Sequence, residues 1–94
     1  MDFRAMISDH IVLQNIGARL ELLRIKKGYP SYEAFAIANQ LSRMQYWRIE
    51  KGKTNITIKS LVAILNIHDI TIEEFFKIKV PKKGIQKPKT NANK

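Results

Sequence analysis

The sequence predicts an all-α fold of five short helices. Three features point there: apolar residues recur at a period near that of a helix, cap residues stand at the boundaries of these runs, and no stretch alternates apolar with polar as a half-buried strand does. A first helix carries Ile16, Leu20 and Leu23 on one stripe and ends in Lys26, Lys27 and Gly28, a cationic last turn before a glycine. Its start reaches back to Ser8 or Asp9, because Ile11, Val12 and Leu13 continue the apolar content upstream. After a turn at Tyr29 and Pro30, Ser31 caps a short second helix that buries Phe35 and Ala36, with Ala38 near its end. Asn39 and Gln40 break the pattern, and Leu41 acts as an apolar plug. Ser42, with Gln45 three residues on, opens a third helix through the reciprocal bonds of a capping box. That helix runs to about Lys51 and stops at Gly52. A polar loop of Lys53, Thr54 and Asn55 leads to Thr57, the cap of a fourth helix whose apolar residues are Ile58, Leu61, Val62, Ile64 and Leu65. Thr71 and Glu74 make a second capping box for a fifth helix that buries Ile72 and Phe75 and reaches Phe76.

Composition narrows the function classes. A chain of 94 residues with 45% apolar and 27% charged residues is sized for one small globular domain, too small for a broad cleft between lobes. No apolar run approaches the roughly 18 residues needed to span a bilayer. The start of the chain shows no cationic leader before a long apolar block, so a cytoplasmic protein is expected. With no cysteine there are neither disulfides nor thiolate metal sites. His10 and His68 stand far apart with no carboxylate set around them, so no metal, no cofactor and no enzymatic activity are expected.

The net charge of +9 is spread unevenly. Residues 77–94 hold seven lysines and no acid, leaving +2 for everything before them. With Pro81, Gly84 and Pro88 and little large apolar content, this stretch is expected to be a flexible tail, either a solubilising end or an arm that seeks phosphates. Residues 1–15 read as an N-terminal extension and 16–76 as the domain proper. Within that domain the stretch from Ser42 to Lys59 holds Arg43, Arg48, Lys51, Lys53 and Lys59 against the single acid Glu50, which concentrates positive charge in mid-chain.

Ser31 to Gly52 reads as helix, tight turn, helix, the layout that holds a second helix proud of the surface for the DNA major groove. At about 100° per residue, Tyr46 and Ile49 face the core while Met44, Trp47, Arg48 and Lys51 face away, with Arg43 at the edge. Two arginines, a lysine, a tryptophan and a methionine make a face too apolar for plain solvent and too charged for a core. The alternative is that Trp47 folds back on a neighbouring helix and the cations are merely solvated. A guanidinium fork matches guanine O6 and N7, so Arg43 and Arg48 are the candidate base readers, Arg43 alternatively clamping a phosphate. Met44 can pack on a thymine methyl, and Gln45 can pair with adenine or close the cap of its own helix. Phosphate contacts are assigned to Ser31 and Tyr32 at the start of the second helix and to Lys51, Lys53, Thr54 and Asn55.

The run Ile16-Gly17-Ala18-Arg19-Leu20 through Lys27-Gly28, then Ser42-Arg43 and Arg48-Ile49-Glu50-Lys51-Gly52, resembles the Cro/phage-repressor (XRE-like) helix-turn-helix family. So do Thr57-Ile58-Lys59-Ser60-Leu61 and Ile70-Thr71-Ile72-Glu73-Glu74-Phe75-Phe76. The likeness covers residues 16–76. It implies a five-helix, repressor-like DNA-binding domain that acts as a dimer on paired half-sites, with Arg24 paired to Glu50. That pairing also has a physical motive, since Glu50 lies at the border of the buried face, although simple surface exposure would serve as well. Pro30 adds a residue before the second helix, and Asn39 and Gln40 replace an apolar residue and the turn glycine. Either of the two must then supply a left-handed backbone, which Asn tolerates better than Gln. His68 stands where an apolar residue is common and reads as a packing residue rather than a switch.

Ile11, Ala18, Leu22 and Ile25 form an apolar row beyond what the inner stripe of the first helix needs. Self-association is one use for it and a protein partner such as a toxin another; the remaining reading is packing of the N-terminal segment on its own domain. The sequence therefore points to a transcriptional regulator, as a repressor, that reads double-stranded DNA with its third helix. The second reading is an antitoxin that neutralises a partner and regulates its own operon. RNA has no glycine clamp or aromatic sheet to bind here.

Overall fold

The computed structural model describes residues 8–81, so the lysine-rich stretch beyond Pro81 and the first seven residues lie outside it. Five helices follow in order: α1 (Asp9–Lys26), α2 (Tyr32–Ala38), α3 (Arg43–Glu50), α4 (Ile58–Ile67) and α5 (Ile72–Lys77). No strand occurs among the described residues. α1 runs unbroken across residue 15, so residues 9–15 are its first turns.

Hydroxyl caps set four of the five starts. Ser31 Oγ accepts the Ala34 N–H at 3.1 Å, Ser42 Oγ that of Gln45 at 3.2 Å, Thr57 Oγ1 that of Ser60 at 3.0 Å and Thr71 Oγ1 that of Glu74 at 3.1 Å. Only α5 completes a capping box, with Glu74 Oε1 accepting the Thr71 N–H at 2.9 Å. These bonds hold the Glu74 carboxyl below its ordinary range. At α3 the expected return bond from Gln45 is not made; its side chain lines a crevice against Ser60 and Ala63 of α4 instead. Ser8 takes the N-cap position of α1 without a side-chain bond.

The α2–α3 turn resolves opposite to the residue preference. Gln40, not Asn39, adopts the left-handed backbone, with φ 59°, while Asn39 has φ −110°. Asn39 is occupied otherwise: its Nδ2 donates to the Phe35 carbonyl at 2.9 Å, beside the bond its own backbone N–H makes to the same oxygen at 3.1 Å. The next residue must then turn the chain, and Gln40 does so at a steric cost.

The core is built from Ile16 and Leu20 of α1, Phe35 and Ala36 of α2, Tyr46 and Ile49 of α3, Leu61, Ile64 and Leu65 of α4 and Phe75 of α5. Phe35 is its hub. Its ring lies 5.0 Å from that of Tyr46, 5.3 Å edge-on from Tyr29, and 5.2 Å from the His68 imidazole in a parallel stack. Two expected core residues stay outside: Ile72 is 37% exposed and Phe76 46%; Ala38, the last residue of α2, is exposed. α5 is only six residues long and turns a single position, Phe75, fully inward. Phe76 packs edge-on against Phe75 and takes the Arg19 guanidinium over its ring at 5.7 Å. Ile58 and Val62 of α4 are exposed too, so its buried stripe is the narrower set of Leu61, Ile64 and Leu65.

Gly17 fixes how closely α1 and α3 cross. A Cβ there would overlap the Glu50 carbonyl oxygen and lie 2.7 Å from that of Ile49. Gly17→Ala is therefore expected to lower stability by about 3 kcal/mol, read as a lower urea midpoint with unchanged slope. His68 gives a pH signature. Burial first, then the charge of Lys27, lowers its pKa in the folded state. The unfolded chain thus takes up the proton first, so stability falls as pH drops through about 6.5 towards the folded-state pKa. His68→Phe is expected to flatten this loss, measured by thermal melting between about pH 7 and 5.

Candidate nucleic-acid interface

α2 and α3 are joined by the four residues 39–42, and two hydrogen bonds and one apolar contact set that joint. The Leu41 N–H donates to the Ala36 carbonyl at 2.8 Å, closing the end of α2; Leu41 packs on the core; and the Ser42 cap starts α3. Tyr46 and Ile49 then turn inward, and Glu50 turns towards α1. The helical period leaves Met44, Trp47, Arg48 and Lys51 on the outward side.

The inner side of α3 is locked by a buried ion pair. Arg24 Nε donates to Glu50 Oε2 at 2.7 Å and an Arg24 terminal nitrogen to Glu50 Oε1 at 3.3 Å, with side-chain exposures of 3% and 2%. A third Arg24 nitrogen donates to the Tyr29 carbonyl at 2.9 Å, and Glu21 stands 3.6 Å away. Burial opposes the Arg24 charge, but the hydrogen bond and charge of Glu50 outweigh it and hold the guanidinium above its ordinary pKa. The Tyr46 hydroxyl lies buried beside this pair, and burial together with the Glu50 charge keeps its phenol neutral. The carboxylate expected to compensate the cations of α3 is thus spent inside the domain.

The outward side carries the rest. Met44 is 58% exposed, Arg43, Arg48 and Lys51 are exposed, and Trp47 is half-buried. Among the described residues Trp47 is not one of the side chains packed against the core, and its ring stacks on no other. Arg43 and Met44 share a concavity of about 170 Å³ with Tyr32 and Glu33 from the first turn of α2. Glu33 escapes sequence reasoning because only the approach of the two helix starts brings it there.

The remaining candidates scatter around this face. Gln45 faces the α4 crevice, 100° away from Met44 by helical geometry. The Ser31 hydroxyl is engaged in its own helix cap, and Tyr32 packs partly on the core. Lys53, Thr54 and Asn55 line an open groove of about 530 Å³ with Asp9, His10 and Leu13 of α1, held by the Lys53 N–H to Arg48 carbonyl bond of 2.8 Å. In the row on α1, Ile11 is 56% exposed, whereas Ala18, Leu22 and Ile25 are half-buried. Among the described residues no helix is long and apolar enough to cross a membrane, and no group of three or more His, Asp or Glu side chains is placed to hold a metal ion.

No family model, curated protein or solved structure matches the chain. The residues themselves carry the functional argument.

The ion pair yields a direct expectation. Glu50→Ala strands a buried guanidinium and should cost about 3–5 kcal/mol, whereas replacing both partners, Arg24→Met with Glu50→Leu, should recover most of that loss. Urea denaturation of the two variants separates these outcomes.

Proposed function

We propose that this protein is a sequence-specific double-stranded DNA-binding regulator, a repressor of the helix-turn-helix kind, that reads the major groove with α3. One observation carries the reading: a rigidly seated helix presents Met44, Trp47, Arg48 and Lys51 together, with its only acid, Glu50, neutralised on the opposite side. An exposed cationic face that also keeps large apolar side chains suits a partner that offers phosphates along its edges and stacked bases between them. Arg48 and Arg43 are the base readers, with Met44 and Trp47 in apolar contact. Lys51, Lys53, Thr54 and Asn55 supply phosphate contacts on the α1 side. Ser31 accepts the Ala34 N–H at its cap and keeps its hydroxyl proton to donate to a phosphate, whereas Tyr32, packed partly on the core, contributes less than its sequence position suggests. No catalytic role is assigned.

The apolar row on α1 favours a protein partner as well. Ile11 is open, and Ala18, Leu22 and Ile25 lie outside the packing of the core. A second copy of the chain doubles the few contacts that one small reader makes, which is the use proposed here. Occupation of that row by a toxin, with the same DNA face regulating the operon, is the second reading. Copurification from the native host separates them, since a stoichiometric enzyme on this row favours the antitoxin.

Selection of bound duplexes from a random DNA pool should return one preferred sequence. On it, Arg48→Ala is expected to weaken binding by about 1–3 kcal/mol and to relax preference at one base pair. Lys53→Ala should weaken all sequences alike and reduce the salt slope by about 1. Fluorescence anisotropy across a salt series checks both, and equal losses on selected and random DNA for both variants would contradict these roles.

A further inference from the structure

We infer that Met44 and Trp47 make this face a reader of thymine 5-methyl groups, so that methyl contacts, and not guanidinium forks alone, set its sequence preference. The inference rests on the DNA-reading function proposed above and names the base that the apolar half of the site takes. Met44 stands in the first turn of α3, 58% exposed although apolar, on the outward side opposite Tyr46 and Ile49. Trp47 follows three residues later, one helical turn along, and lies outside the packing of the core. Trp47 is half-buried, and the fold gains nothing from leaving Met44 open beside it, whereas a partner with its own apolar points would cover that side chain.

The walls around Met44 decide which part of DNA fits. Its concavity holds Tyr32 and Glu33 as well as Arg43. The Glu33 carboxylate there offsets the Arg43 guanidinium, so the concavity offers a phosphate no net positive charge and leaves the exposed Met44 side chain to a base edge. Of the groups displayed in the major groove only the thymine 5-methyl is apolar, so it is the natural cover for a thioether and an indole. Arg48, one turn after Met44 on the same side, is placed to take a neighbouring guanine.

The test uses the whole chain and the duplex recovered by selection, with each thymine replaced singly by deoxyuridine, which removes the methyl and leaves every hydrogen-bonding group in place. At one or two positions affinity should fall by about fourfold, the value of one buried methyl. Met44→Ala, an exposed substitution that leaves the core intact, should bind the thymine and uracil forms alike at one of those positions. Tolerance of uracil at every position, on a duplex still clearly preferred over random DNA, overturns the inference while the reading of DNA stands. A uracil penalty that Met44→Ala and Trp47→Ala both leave unchanged also overturns it. Recovery of no preferred duplex removes the DNA-reading function itself.

Discussion

The hydrogen-bonded pair between Arg24 and Glu50 is the constraint around which the domain is arranged. It ties the end of the longest helix to the end of α3, and its third bond, to the Tyr29 carbonyl, holds the chain as it leaves α1 for α2. A pair this buried is costly to desolvate, so its worth lies less in net stability than in fixing one arrangement of the two helices. Gly17 belongs to the same contact. Because it lacks a side chain, the α3 backbone can come close enough for the guanidinium and carboxylate to meet. The rotation of α3 about its own axis then follows, since Tyr46, Ile49 and Glu50 all have fixed places.

Fixing that rotation also sorts charge. Glu50 is the only acid between Ser42 and Lys59, and it points inward against Arg24, so the outward side of α3 is left purely cationic. The aromatic column of His68, Phe35 and Tyr46 supports α3 from beneath and links it to the end of α4. A reading helix gains from such support, because side chains that must meet base edges lose affinity when their scaffold moves.

Much of this was legible in the sequence. The helices, their caps and the inward residues of α3 followed from spacing and from hydroxyl residues at the run boundaries, and the Arg24–Glu50 pair followed from a family likeness joined to a burial argument. What failed did so for tertiary reasons. Asn39 looks the better left-handed residue, but both its backbone N–H and its side-chain amide bond back to the Phe35 carbonyl, and Gln40 takes the turn. Ile72 and Phe76 looked buried because period alone cannot tell that α5 is too short to turn more than one side chain inward. Gly17 carried no local signal, since its role comes from a residue 33 positions away. Glu33 entered the site only through the meeting of two helix starts.

The central claim is that the outward side of α3 is the surface on which DNA sits. Titrating the isotope-labelled protein with a selected duplex and following the Met44 methyl, the Trp47 indole N–H and the Arg48 side chain by NMR tests it most directly. These three should show the largest shifts at physiological salt, with the Arg24 and Glu50 signals unmoved. Shifts that gathered instead on Ile11, Leu22 and Ile25, leaving α3 silent, would contradict the account.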